Sequence, residues 1–282
     1  MNLNDRALLV QLSISQWSAR KFDRKITQQV ADSNRVLASA GRYNKALLPM
    51  TGLLDAVHQK STQIYADYRR QTLPWGIDGT QVLPTANYMA FMTEFRRLKV
   101  EWEGLVNTFV DAYPRLKEQA KTALGPMYND NDYPHISQVR SKFKMDIAVF
   151  PMPSSDFRVK LSSDELSRIQ QDVEARVTTA QHQAMQEVWE RLFTRVKHIA
   201  DKLSDPKGIF RDSMLENARE LCELLPRLNF ADDPQLEQMR QEVEGKLAKH
   251  HPDSLRNDPI LRRDTAEEAK RIMAQMGAWM NG

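Results

Sequence analysis

The stretch SSDELSRIQQDVEARVTTAQHQAMQEVWERLFTRVKHIADKLS, Ser162 to Ser204, decides the fold. Its apolar positions Leu166, Ile169, Val173, Val177, Ala180, Ala184, Val188, Leu192, Val196, Ile199 and Leu203 follow one another three or four residues apart. That spacing places them on one face of a 3.6-period helix. Ser162 with Glu165 has the form of a capping box, which satisfies backbone N–H groups left unpaired in the first turn. At about 1.5 Å per residue such a helix is about 60 Å long and must serve as a spine for others.

A second amphipathic run starts at Thr85 and carries Tyr88, Phe91, Met92, Phe95, Leu98, Trp102, Leu105, Val106, Phe109 and Tyr113 on one side. Arg96, Arg97 and Lys99 lie off that stripe. Pro114 divides this run from a shorter helix ending at Gly125-Pro126. Upstream, Leu8, Val10, Leu12 and Ile14 alternate with more polar neighbours, the period of a strand with one buried face. Residues Met145–Phe150 and Phe157–Leu161 read as two further strands, pairing with each other and with residues 8 to 14. Thr51 caps a helix from Leu53 to Arg70, and a polar helical stretch before it runs to about Ala40. The segment Thr72-Leu73-Pro74-Trp75-Gly76-Ile77-Asp78-Gly79 is a loop, with Trp75 as its buried anchor. After the spine, Ile209–Leu225 is helical and closed by Pro226, Asp233-Pro234 opens the next helix, and a last one runs from Asp264 to Met280.

The fold class expected is therefore mainly α: an elongated antiparallel long-helix bundle with a small β-sheet at one end. Helices 85–113 and 162–204 pack against each other in it. Residues 1–204 form the long-helix body, and residues 205–282 a C-terminal helical group packed on it. No repeat and no low-complexity linker interrupts the chain.

Composition agrees. With 41% hydrophobic residues, 27% charged and only 10 glycines in 282 residues, the chain can bury a core and favours helix. No apolar run approaches the ~18 residues of a membrane span, and Met1 to Trp17 lacks signal-peptide features, so a cytoplasmic, non-membrane protein is expected. The single cysteine, Cys222, cannot form an internal disulfide and reads as a buried hydrophobe.

No motif carries chemistry. There is neither a helical pair of histidines four apart with a glutamate nor a glycine-rich loop leading to Lys and Ser/Thr. His58, His135, His182 and His198 are scattered, and the neighbours His250 and His251 point about 100° apart on a helix. Asn129-Asp130-Asn131-Asp132-Tyr133-Pro134 is a turn, since a calcium loop would continue its ligands to a distal glutamate. No enzyme, cofactor or metal is expected.

Charge is uneven. Residues 1–160 hold 22 Lys and Arg against 15 Asp and Glu, giving +7, whereas residues 161–282 hold 18 against 22, giving −4. Arg20, Lys21, Arg24 and Lys25 form one compact basic group; Arg140, Lys142, Lys144, Arg158 and Lys160 form another on or beside the expected sheet. Convergence of these groups on one stripe favours sequence-independent binding of DNA or RNA, and interspersed carboxylates favour the scaffold role. At the C-terminus, Met273, Met276, Trp279 and Met280 offer a face for a protein partner or a second copy of the chain.

Gly41-Arg42-Tyr43-Asn44-Lys45, Thr72-Leu73-Pro74-Trp75 with Asp78-Gly79 and Leu83-Pro84, Asp156-Phe157-Arg158, Phe210-Arg211-Asp212-Ser213 and Leu225-Pro226-Arg227-Leu228-Asn229 together resemble an uncharacterised family of proteins from tailed bacteriophages and related mobile elements. The resemblance implies a protein made inside a bacterial cell and brings no catalytic residue with it. The function expected is that of a non-catalytic helical interaction protein, a scaffold or modulator of other proteins, with nucleic-acid binding as the alternative.

Overall fold

The structure, a computed structural model, describes residues 5–49, 52–76, 79–154, 162–205 and 208–280. In chain order the strands are β1 (Ala7–Ser15), β2 (Arg20–Phe22), β3 (Asn44–Ala46), β4 (Leu73–Pro74), β5 (Thr80–Pro84) and β6 (Lys144–Pro151). The helices are α1 (Arg24–Asn34), α2 (Gly52–Gln71), α3 (Thr85–Leu124), α4 (Ile136–Val139), α5 (Ser163–Ser204), α6 (Ser213–Leu228), α7 (Pro234–Val243), α8 (Pro252–Asn257) and α9 (Pro259–Met280). A π turn, Glu244–Ala248, extends α7. The protein is mostly helical, as expected, with one four-stranded sheet of order β4-β5-β1-β6 and a separate ribbon of β2 and β3.

The chain forms two compact units. The first comprises residues 1–11, 68–92 and 148–282, and the second residues 12–67 and 93–147. The division expected after residue 204 falls inside the first unit.

In the first unit α5 is the spine. Ser162 Oγ accepts from Glu165 N at 3.4 Å, so the expected cap is in place. From Ala180 onward the stripe is buried: Ala184, Val188, Leu192, Val196 and Ile199 are all fully inaccessible. What covers it is α9 and α6, with β4 and α7 adding smaller contacts. The C-terminal helices contribute Ala269, Ile272, Met276, Leu215, Cys222 and Leu225 to the same cluster. Trp75 and Leu73 enter that cluster too, Trp75 as the anchor expected. The surrounding segment is more regular than a loop, because Leu73 and Pro74 pair antiparallel with Val82 and Gln81. Strand β1 pairs with β5 in the register Ala7↔Pro84 to Gln11↔Thr80. It is a central strand, so Ala7 and Leu9 pack into the cluster while Val10 is also buried, where a single buried face was expected.

Three arginines close helix ends that sequence leaves open. The last four carbonyls of a helix have no partner within it. Arg191 donates from Nη1 to Arg70 O (2.9 Å) and from Nη2 to Arg69 O (3.1 Å) and Thr72 O (2.9 Å), at the end of α2. Arg262 donates to Lys202 O (3.0 Å), Leu203 O (3.3 Å), Asp205 O (2.7 Å) and Gly208 O (2.7 Å), at the end of α5. A Cβ at Gly208 would lie 2.8 Å from Lys202 O, so this close turn admits glycine alone. Arg219 donates to Ala248 O and His250 O after the π turn.

Neither proline breaks its helix as expected. Helix α6 runs past Pro226 and α3 past Pro114. A helical proline loses one hydrogen bond and costs about 3 kcal/mol, but Phe109, Tyr113, Leu116 and Ala120 bury the same face on both sides of Pro114 and outweigh it. Helix α9 begins at Pro259, earlier than expected, because Asp258 caps it by accepting from Ile260 N (2.9 Å) and Leu261 N (3.0 Å). Helix α6 starts late, at Ser213, leaving Ile209 89% exposed. The expected strand Phe157–Leu161 and the cap Thr51 lie outside the described residues.

The second unit is built on an aromatic core. Trp17, Phe109, Tyr113 and Phe143 meet in tilted and edge-to-face pairs at centroid distances of 5.6 to 6.4 Å. Trp102 Nε1 donates to Ser61 Oγ at 2.8 Å, which satisfies the buried indole N–H. Tyr133 donates to Leu47 O and Tyr113 to Pro134 O. Burial pushes both phenols up to about 12.

Candidate nucleic-acid interface

Residues 17–49 of the second unit fold as a strand, a helix and a returning strand. Ala19 turns the chain in the left-handed region (φ 48°), and Leu47 N donates to Ala19 O at 2.7 Å. Strand β2 then pairs antiparallel with β3 in the register Arg20↔Ala46, Lys21↔Lys45 and Phe22↔Asn44. Asp23 ends β2 and caps α1, accepting from Ile26 N at 3.1 Å. Thr27 Oγ1 donates to Asp23 O (2.8 Å) and accepts from Tyr43 N (3.0 Å), which ties the helix to the returning segment. Arg35 stops α1 in the left-handed region (φ 54°), with Val36 N donating to Ala31 O.

Lys45 locks the module. It is 6% exposed, and its Nζ lies 2.8 Å from Asp132, 3.5 Å from Asp23 and 2.7 Å from Met127 O. Burial works against the charge of Lys45, but Asp132 and Asp23 outweigh it and hold the ammonium above its ordinary range. The Asp23 carboxyl is held below the usual carboxylate range, first by the Ile26 N–H and, against burial, by Lys45.

With that pair satisfied internally, the surface is strongly basic. From Trp17 to Pro49 the acidic residues are Asp23 and Asp32 alone. Arg20, Lys21, Arg24, Lys25, Arg35 and Arg42 are all exposed, and among the described residues none is within salt-bridge distance of a carboxylate. Elsewhere the pattern is mixed: Arg97 pairs with Glu94 and Glu101, Arg240 with Glu237 and Glu244, and Arg271 with Glu242 and Glu268, whereas exposed Arg96, Arg195, Lys197 and Arg211 stand in no salt bridge among the described residues. A cation without a carboxylate partner keeps its potential available to an incoming anion.

Apolar groups lie beside this charge. The Arg42 guanidinium sits over the Phe22 ring at 4.7 Å, and Phe22 and Tyr43 are 38% and 40% exposed. A groove of about 390 Å³ runs between α1 and the segment after it, lined by Thr27, Val30, Asn34, Val36, Leu37, Arg42 and Tyr43 among others. Arg42 belongs to both features, joining the groove to β2.

The structure thus brings Arg20, Lys21, Arg24 and Lys25 together on β2 and the first turn of α1. Arg140, Lys142 and Lys144 are exposed in the same unit, on the turn after α4 and the start of β6, and Arg140 Nη1 is directed to Phe143 O at 3.3 Å. Arg158 and Lys160 lie outside the described residues. Sequence names Arg42 and Tyr43 only within the Gly41–Lys45 motif of the resemblance and gives no binding role to them, to Phe22 or to the groove. The signal available was the scarcity of carboxylates across residues 17–49 with aromatic residues interleaved.

The C-terminal partner face is largely consumed by the protein itself. Met276 is fully buried, Met273 and Trp279 pack against the core, and Trp279 meets Trp189 edge-on at 6.1 Å. The Met280 side chain lies outside the described residues. Of the exposed or half-exposed face expected, Met276 is spent on the core, while Met273 and Trp279 are half-buried. Cys222 is fully buried, and burial pushes its thiol up to about 12. Among the described residues no group of three or more His, Cys, Asp or Glu is placed to hold a metal, and no helix is long and apolar enough to cross a membrane.

Set against protein-family models, curated proteins and solved structures, the chain matches none of them.

Proposed function

We propose that the protein binds nucleic acid through its phosphates, without reading base sequence, and that residues 20–43 form the contact surface. One observation carries this: six exposed cations without carboxylate partners on one short, internally locked module. Phosphate neutralisation releases condensed counterions, so such binding weakens steeply with salt. The bacterial-cell setting implied by the phage resemblance is compatible with this activity and is part of the proposal.

The test is fluorescence anisotropy of labelled single-stranded DNA, duplex DNA and RNA at low and near-physiological salt. Wild type is expected to bind with strong salt dependence. Reversal of Arg20, Lys21, Arg24 and Lys25 to Glu should reduce affinity at least tenfold and flatten the log-affinity against log-salt slope by about 0.7 to 0.9 per lost phosphate contact. Equal binding by the reversed protein, with its circular dichroism unchanged, would remove this surface from the proposal.

A protein-interaction role is the second reading, and a different element supports it. Leu166, Ile169, Val173 and Val177, on the opening turns of α5, are only half-buried although they continue the core stripe. Self-association through these turns predicts a solution mass above the monomer's by light scattering, returning to the monomer's in Val173→Lys with Val177→Lys.

A further inference from the structure

We infer that the nucleic acid this surface takes is single-stranded, with unstacked bases lying against Phe22 and Tyr43 and in the groove beside α1. The inference rests on the phosphate-binding reading above and names its substrate class. Scattered exposed hydrophobic residues are ordinary on a protein surface. Here they are not scattered. Val30 (50% exposed), Val36 (51%), Leu37 (78%) and Tyr43 (40%) all line one groove, and Arg42, which lines it too, covers the neighbouring Phe22.

Two ligand properties are needed to match this surface. The cations Arg20, Lys21, Arg24, Lys25, Arg35 and Arg42 require repeated negative charge, and the groove requires flat apolar faces at the same place. In a duplex each base face is covered by its neighbour, so phosphates could meet the cations but nothing would fill the groove. A single strand presents both at once, and stacking on aromatic and guanidinium planes tolerates any base. Asn34 adds a polar edge at the groove wall; its Nδ2 is held by Val30 O at 2.8 Å, which leaves its Oδ1 as an acceptor.

The experiment compares three probes against the full chain: an oligothymidylate of about 16 nucleotides, in the range of single-strand site sizes, an abasic strand of equal phosphate number, and a duplex of equal length. The same strand in ribose form serves as a fourth arm. Wild type is expected to bind the oligothymidylate about tenfold more tightly than the abasic strand or the duplex. Phe22→Ala with Tyr43→Ala should bring the first affinity down to that of the abasic strand while leaving abasic binding within about twofold. Tyr43→Phe, which keeps the ring, should retain wild-type affinity and serves as the folding control. Equal binding with and without bases, or preference for the duplex, overturns the single-strand inference and leaves phosphate binding standing. Failure to bind every probe at low salt overturns both, and so does binding of polyglutamate in their place, which would make the surface a site for acidic polypeptide.

Discussion

Lys45 shows what one residue decides here. In sequence it is one more cation in a basic region; in the fold it is buried and shared between Asp23, Asp132 and Met127 O. Lys45→Met should cost about 2 to 3 kcal/mol, since it leaves two partly buried carboxylates uncompensated, and urea denaturation measures the loss. The pH dependence has a defined sign. The folded-state pKa of Asp23 is depressed, so its stabilisation is complete above its ordinary value of 3.8 and is lost as pH falls through the lower folded value. Lys45 is raised, so its share is complete below its ordinary 10.5 and is lost as pH rises through the folded value. Between those limits the Ile26 amide should stay protected from exchange; a protection factor, taken relative to the intrinsic rate at each pH, that falls across the neutral range would contradict the lock.

At the scale of elements, both ends of α5 were legible from its own residues, and what closes its C-terminal end was not. Period and cap are local, and both Ser162 and the stripe from Ala180 appear where the spacing placed them. The C-terminus of α5 is closed from α9 by Arg262, some 54 to 60 residues away in the chain, an arrangement no local pattern encodes. Arg262→Ala should destabilise by about 1 to 3 kcal/mol and speed amide exchange in the last turn of α5 alone. Arg262→Lys should not restore it, because an ammonium lacks the planar fork that reaches several carbonyls. Unchanged exchange in the alanine variant would show that water satisfies these carbonyls equally well. The continuity of α3 through Pro114 and of α6 through Pro226 has the same origin: a proline's cost is local, and the burial that outweighs it is tertiary.

At the scale of the molecule, the core of the first unit gathers β-strand residues near the N-terminus, α5 and the helices after it into one cluster. Leu192 sits in that cluster without solvent contact. Leu192→Asp places a charge where nothing can pair with it and should cost more than about 4 kcal/mol, a large share of a typical total of about 5 to 15. Loss of the cooperative unfolding transition is expected; a melting curve like that of wild type would refute the core assignment.

The sequence by itself determined the helical class, the spine and its stripe, the strand at the N-terminus, the buried Trp75 and the basic character of residues 20–25. These follow from period, capping and composition, which act between residues close in the chain. Only the tertiary structure decided that α9 and α6 cover the spine, that Met276 is core, that Lys45 is withdrawn from the basic surface, and that Arg42 links Phe22 to a groove. The physical reason is common to all four: burial and charge pairing depend on partners far away in sequence, and an amphipathic face or a lone cation looks the same locally whichever partner it finds.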